Sequence, residues 1–402
     1  MSCARVEHFF RHEYGRLVAS LTRRVGHPHL ELVEDAVQTA MMRAVETWPR
    51  RGEPDDASAW LYRVAYREIA GRLRRTPEAA AREESTAPPE ASFENEVQDD
   101  LLRMLFVCCD EGLPPEAQIV LALRTLCGFS VAEIAQRLFL TEANVYKRLL
   151  RARERLRKIR TDPLAGGAGR LHSVLRVLYL LFTEAHLSLQ AGPAIRDELG
   201  RDALRLALVV ARHPRGKGPR SAALVALMHF HLARSPGRQA MGQLLLLEEQ
   251  ERHAWDRQAI AIGLEWLALS AAGDDFSRYH AEAGVAAEHC MAPSYAETRW
   301  DRVVSCYETL EKFSPSPLHR LNRAIAMAEW KGPKAGLDLL ESFEPKKVTD
   351  SFYWTAALSD LCERAGRHRE AQEHRRVALS LAPSEAIRRL FLRRNASLKT
   401  MA

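Results

Sequence analysis

The stretch Leu140–Arg160 concentrates side chains that suit nucleic acid. It holds eight basic and two acidic residues, a net charge of +6 that equals the formal net charge of the whole chain. Guanidinium groups neutralise phosphates and read base edges, so this chemistry points to DNA. On a helix, five polar side chains of the stretch stay outside its apolar stripe: Asn144, Lys147, Arg148, Arg151 and Arg155.

Two helices must position that stretch. Ser130 and Glu133 have the spacing of a capping box, which predicts a short helix over Val131–Leu138. Phe139–Leu140 is then the turn, and Thr141 caps a second helix that covers the basic stretch. This arrangement predicts a helix-turn-helix whose second helix enters the major groove. A charged helical hairpin without DNA contacts is the alternative.

A second basic helix is predicted over residues 57–75, with an apolar stripe that starts at Leu61. Arginine and aromatic side chains interleave on its outer side, where they can neutralise phosphates and stack on exposed bases. They are Arg63, Tyr66, Arg67 and Arg74. An ordinary amphipathic helix with a basic surface is the alternative interpretation.

A third helix is predicted over Val33–Trp48, with Pro49 as its stop. Its apolar residues share one stripe. Asp35, Gln38 and Met42 lie together on another face, one turn apart. Spacing alone favours a solvated polar face.

Composition excludes several classes of protein. Of the 402 residues, 47% are hydrophobic and 27% are charged, which is typical of a soluble globular protein. The longest apolar stretch, Val174–Phe182, contains Arg176 and is far shorter than the roughly 20 residues of a membrane span. Scattered cysteines and the absence of a secretory signal predict a cytoplasmic protein that contacts no membrane.

The sequence predicts no enzyme, no cofactor and no metal site. Its histidines are dispersed, and it has no Gly-rich phosphate loop and no G-x-S-x-G motif. Cys108, Cys109 and Cys127 are a candidate metal site. Adjacent helical residues point about 100° apart, so packing in the core is the favoured role of these cysteines.

Two linkers divide the chain. Thr76–Asp100 carries eight acidic residues and one basic residue, a net charge of −7, and Thr161–Arg170 is rich in glycine. The predicted parts are therefore 1–75, 101–160 and 171–402. Strand signals are nearly absent, so the predicted fold class is all-α.

Residues 171–402 read as successive helices. Gly332 and Gly366 are 34 residues apart, the period of the tetratricopeptide repeat, so a stack of helical hairpins is predicted. Within this part, Glu248–Asp256 is an acidic and aromatic cluster. It is either a solvated helix end or a regulatory surface.

Three segments, in this order, resemble bacterial sigma factors of the extracytoplasmic-function class: VEDAVQTAMMRAVETWP at 33–49, AWLYRVAYREIAGRLRR at 59–75 and VYKRLLRARERLR at 145–157. An acidic linker between the two modules belongs to the same pattern. The later helices, such as VLYLLFTEAH at 177–186, look like the subgroup with a long helical C-terminal extension. The resemblance spans nearly the whole chain.

The resemblance implies roles for the residues singled out above. In that family the first module docks on core RNA polymerase, which implies contacts by Asp35, Gln38 and Met42, and it melts the −10 promoter element. The implied −10 contacts are Trp60, Arg63, Tyr66, Arg67 and Arg74, although a buried anchor is an equal reading of Trp60. The helix Glu142–Arg157 would read the −35 element through the five polar residues of the basic stretch.

The predicted function is that of a sigma factor, with core RNA polymerase and promoter DNA as partners and a C-terminal domain that regulates it in cis. The sequence identifies no partner or ligand for that domain. The alternative is a helix-turn-helix regulator with a helical scaffold tail that never joins polymerase. The helix over Val33–Trp48 discriminates between them, because only a sigma factor needs it to bind polymerase.

Overall fold

A computed structural model describes residues 3–74, 94–138, 140–158, 168–187, 193–240, 243–342, 351–383 and 385–401. In these residues the fold is all-α, as predicted, apart from short 3₁₀ turns and one antiparallel pair of two-residue strands, β1 (Gln239–Ala240) and β2 (Gln243–Leu244). Contacts between residues divide the chain into two compact units. The first comprises Met1–Ala185 and Arg205–Gly216, and the second His186–Leu204 and Lys217–Ala402.

The predicted promoter modules form seven helices of the first unit. These are α1 (Cys3–Val25), α2 (Leu30–Arg51), α3 (Ala57–Leu73), α4 (Glu94–Cys108), α5 (Pro115–Thr125), α6 (Val131–Arg137) and α7 (Glu142–Lys158). Helices α1, α2 and α3 pack on one another, α5 and α6 pack on α7, and α1 also packs on α4. The core is aliphatic, and Val18, Val33, Val37, Leu61 and Leu105 have no exposed surface.

Pro49 does not stop α2, contrary to the prediction. The helix continues through Pro49 to Arg51 and ends at Gly52, whose φ of 83° suits a residue without a side chain. The Gly52 N–H still donates to the Trp48 carbonyl at 3.0 Å. A proline so close to the helix end removes one hydrogen bond and leaves the closing one intact.

The remaining helices continue to the end of the chain. They are α8 (Ala168–Leu187), α9 (Pro193–Arg212), α10 (Pro219–Ala233), α11 (Arg257–Ser270), α12 (Arg278–Met291), α13 (Trp300–Phe313), α14 (Pro317–Lys331), α15 (Pro333–Glu341), α16 (Phe352–Arg364), α17 (His368–Leu381) and α18 (Glu385–Met401). From α10 to α17 each helix packs on the next, which is the arrangement of a helical-repeat stack. Among the described residues, no helix has the length and apolar character that crossing a membrane requires.

Two hairpins of the second unit carry the predicted repeat glycines. Gly332 separates α14 from α15 and has a φ of 95°, and Gly366 lies between α16 and α17 with a φ of 77°. Both turns require a left-handed backbone, which glycine adopts without strain. The two hairpins share one core cluster, which includes Ala324, Leu340 and Leu361.

Candidate nucleic-acid interface

The helix-turn-helix forms as its local sequence predicts. The Ser130 hydroxyl accepts from the Glu133 N–H at 3.2 Å, and the Glu133 carboxylate accepts from the Ser130 N–H at 2.7 Å, which completes the capping box. The Thr141 hydroxyl accepts from the Asn144 N–H at 3.3 Å at the start of α7. The inner face of α7 is buried through Val145, Leu149, Ala152 and Leu156. Phe139, the first residue of the predicted turn, lies outside the described residues.

The opposite face of α7 presents the predicted DNA contacts. Asn144, Lys147, Arg151 and Arg155 are exposed, and Arg148 is partly buried. Arg155 lies over the turn at Gly112, where a Cβ would be only 2.5 Å from its guanidinium. This contact places the Arg155 side chain beside the turn between α4 and α5.

Two apolar side chains on α7 were missed by the sequence analysis. Tyr146 is 61% exposed and Leu150 is 57% exposed, and they lie one turn apart. Their spacing relative to the buried stripe was a usable signal, because both fall outside it. They add an apolar strip to the basic face.

Helix α3 carries the residues predicted for the −10 element. Arg63, Arg67 and Arg74 are exposed, while Tyr66 is partly buried. The Tyr66 ring stacks on Tyr62 with centroids 6.3 Å apart. These side chains form a face with cations at the outside and stacked rings beside them.

Trp60 lies at the junction of α2 and α3. Its ring meets Trp48 edge to face with centroids 5.6 Å apart, and the side chain is partly buried. This geometry is a packing contact between the two helices. The Trp60 side chain keeps some exposed surface.

The candidate polymerase-binding residues remain at the surface of α2. Asp35 is exposed and its Oδ2 lies 3.7 Å from Nη1 of Arg72, and Gln38 is partly buried. Met42 is 64% exposed and Val45, which the sequence analysis did not select, is 57% exposed. The face therefore combines a charged end with an exposed apolar end, which suits a protein partner.

A buried ion pair joins the two modules inside the first unit. The guanidinium of Arg153 on α7 pairs with the carboxylate of Glu34 on α2, which is 1% exposed. The Thr125 hydroxyl donates to the same carboxylate at 2.9 Å. Burial alone would lower the pKa of Arg153, but the carboxylates of Glu34 and Glu31, with Tyr14, together outweigh burial and raise the pKa.

The backbone also approaches closely at this junction. A Cβ at Gly15 of α1 would lie 2.3 Å from the Leu126 carbonyl oxygen, so this position requires glycine. Burial raises the pKa of the neighbouring Tyr14 phenol, and Glu34 adds to the shift. Sequence analysis missed the whole junction because it joins residues far apart in the chain.

The cysteines considered as a metal site are buried at the end of α4 and near the end of α5. Burial raises the pKa of both Cys108 and Cys109, so these thiols stay protonated. Among the described residues, no group of three histidine, cysteine or acidic side chains suits a metal ion.

Both predicted linkers lie mostly outside the described residues. Of the acidic linker 76–100, only Glu94–Asp100 is described, as the start of α4. Of the linker 161–170, only the beginning of α8 is described. The candidate interface is therefore built without the two linkers.

Comparison with known proteins matches three parts of the chain. Residues 10–77 match Sigma-70 region 2, residues 103–156 match Sigma-70 region 4, and residues 170–271 match a family of unknown function, DUF6596. An uncharacterized protein of Rhizobium meliloti (strain 1021) is 32% identical over 380 residues, which cover 89% of this chain and 88% of that protein. No solved structure matches the chain.

These matches define the class of protein. The chain belongs to the sigma-70 family, whose members bind core RNA polymerase and promoter DNA to start transcription. More particularly, it is a sigma factor of the extracytoplasmic-function type with a C-terminal extension, which confirms the resemblance seen in the sequence.

Proposed function

We propose that α7 of this sigma factor reads the −35 element, that α3 contacts the −10 strand and that α2 docks on core polymerase, while the C-terminal extension braces the second module in cis. The observation that carries the proposal is the exposed polar face of α7, which lies opposite a fully buried stripe. Such a helix can enter the major groove without disturbing its own core.

The −35 assignment is tested with Arg148→Ala and Arg151→Ala in transcription by core enzyme. Loss of a base contact costs about 1–3 kcal/mol and relaxes specificity at one position. Lys158→Ala, at the exposed end of the same helix, is the control. Losing a contact to a phosphate weakens binding to all DNA sequences alike, so this variant should not relax specificity. If both arginine variants keep full −35 dependence, they are not part of the readout.

The polymerase assignment is tested at Asp35. Charge reversal by Asp35→Lys should weaken binding to core polymerase and change stability by no more than about 0.5 kcal/mol, because the side chain is at the surface. Arg72→Ala breaks the same ion pair but keeps the carboxylate, so it should bind core polymerase normally. If Asp35→Lys binds DNA and core polymerase as the native chain does, α2 is not the docking helix. If no variant and no native chain binds polymerase, the protein is the alternative regulator that never joins it.

Three contacts of the first unit support bracing by residues beyond the helix-turn-helix. Arg205 of α9 donates to the Leu126 carbonyl at 3.2 Å, and His213 Nε2 lies 2.7 Å from Oδ1 of Asp99 on α4. Arg170 of α8 lies 3.9 Å from Asp110. All three contacts tie the extension to α4, α5 or the loop between them.

The cis effect is tested first by truncation after Arg160, which should lower transcription although both promoter modules remain. Arg205→Met in the full chain should also lower transcription, because this variant loses the hydrogen bond to the Leu126 carbonyl. Arg201→Met, an exposed position on the same helix, is the matched control. A truncated protein with unchanged activity rejects cis control, and one with higher activity replaces bracing with masking.

A further inference from the structure

The described segments of the loop between α10 and α11, residues 234–240 and 243–256, pack around one indole ring. The end of the second segment returns to the start of the first, because the Asp256 N–H donates to the Ala233 carbonyl at 2.9 Å. Trp255 is 3% exposed. Gly237 lies so close to the ring that a Cβ there would be 2.6 Å from Trp255 Nε1. The loop therefore fixes the position of this ring tightly.

Two guanidinium groups lie against the same ring. The Cζ atom of Arg252 is 4.1 Å from the centroid of Trp255, and that of Arg234 is 5.1 Å away. Arg252 is 9% exposed, and its Nε, Nη1 and Nη2 atoms are all buried without a hydrogen-bond partner. The Nε of Arg234 is likewise buried without a partner.

No carboxylate in the described part of the chain pairs with either arginine. The acidic residues of the loop form ion pairs with other basic side chains. The pairs are Glu248 with Arg394 at 3.8 Å, Glu249 with Arg393 at 2.7 Å and Glu251 with His253 at 3.0 Å. In the described part of the chain, the acidic residues of the cluster noted in the sequence thus leave Arg252 of that cluster, and the partly buried Arg234, without an internal anion.

The desolvation cost of the two guanidinium groups favours binding of an anion. Removing a guanidinium group from water is costly, and cation–π contacts recover only part of that cost. Burial lowers the pKa of both arginines, and the groups that act against burial are the thiol of Cys290 and the phenols of Tyr295 and Tyr307, with no carboxylate among them. Burial and the two arginines also lower the pKa of His289 to about 3, so this neighbour is neutral near pH 7.

We propose that Arg234 and Arg252 bind an oxyanion, the phosphate or carboxylate group of a small molecule. Arginine forks match such groups geometrically, and both guanidinium groups lie against the ring of Trp255. A cavity of about 230 Å³ shares His289 with this cluster and Leu246 with the loop, and its wall includes Tyr295 and Trp300. Neither Arg234 nor Arg252 lines this cavity, so only the anionic group of the ligand is assigned a place, at the two guanidinium groups.

The test uses the full-length protein without polymerase, so it is independent of the proposed promoter function. Sodium phosphate and sodium acetate are titrated separately by calorimetry at constant ionic strength, with chloride as the balancing ion. Saturable binding of either anion is expected, and Arg252→Met should weaken it about 10- to 100-fold. Preference for phosphate indicates a phosphate ester as the ligand, and preference for acetate indicates a carboxylate.

Two controls make the result decisive. Arg369→Met removes an arginine whose side chain is 95% exposed, and it should bind both anions as the native protein does. Circular dichroism in chloride shows whether Arg252→Met keeps the native fold, and Trp255→Phe, which keeps a ring, should lose less affinity. If neither anion binds saturably, or if folded Arg252→Met binds as tightly as the native protein, the proposal is wrong.

Discussion

Arg153 in the first unit and Arg252 in the second are both largely removed from water. The two guanidinium groups differ in the partners that they meet. Arg153 meets Glu34, a buried carboxylate supplied by another helix of the same unit. Arg252 meets the face of Trp255, and the acidic residues of its loop pair elsewhere. A buried charge needs an opposite charge, so the first site is complete within the protein and serves to join two modules. The second site is complete only with a ligand, if the oxyanion proposal holds.

The largest expected effect comes from breaking the complete site. Glu34→Gln removes the buried carboxylate and leaves Arg153 with only the exposed Glu31 at 3.3 Å, so the free energy of unfolding should fall by at most about 3–5 kcal/mol. Urea unfolding of the full chain measures it. Arg157→Gln breaks the exposed pair with Glu31 on the same two helices and should cost no more than about 1 kcal/mol. If both variants lose the same free energy of unfolding, the Glu34–Arg153 pair does not hold the two modules together.

A smaller effect is the pH dependence of stability that His289 gives to the second unit. His289 has a pKa of about 3 in the folded protein and about 6.5 when unfolded, so protonation favours the unfolded chain. Its contribution to stability is fully present above about pH 6.5 and is lost as the pH falls towards 3. By pH 5 the loss should be about 2 kcal/mol.

Chemical unfolding at pH 7.5 and at pH 5 measures this dependence. His289→Phe removes the titrating group but keeps a ring beside Trp300, so its stability should depend less on pH. If the native protein and the variant show identical pH dependence, folding does not lower the pKa of His289. That result would also require an anion or an acid near Arg234 and Arg252 in the unliganded protein.

The smallest expected change is the sharpest test of the comparison. Arg252→Met in chloride buffer removes a buried cation that no carboxylate offsets in the described part of the chain, and methionine keeps most of the apolar contact with Trp255. The free energy of unfolding should stay the same or rise by up to about 1 kcal/mol. A loss as large as that of Glu34→Gln would show that Arg252 is already compensated inside the protein, and the two sites would then be alike.

Local rules predicted the helix-turn-helix well. The capping box at Ser130 and Glu133 acts within one turn, and the spacing of Val145 and Leu149 specifies which face of α7 is buried. The same rules misplaced the end of α2, because they treat Pro49 as a stop wherever it stands. Near a helix end, the hydrogen bond from Gly52 to Trp48 survives, and the helix runs past the proline.

The amino-acid sequence was enough to establish the all-α class and the outward face of α7, since both depend on hydrogen bonds and periodicity among residues close in the chain. The two promoter modules came from the resemblance of the sequence to a known family. It did not reveal that Arg153 meets Glu34, or that Arg234 and Arg252 share one indole ring. An arginine on a helix reads as a surface residue until a distant element packs over it. The carboxylate or the ring that it then meets is chosen by the packing of helices and loops, which no local pattern encodes.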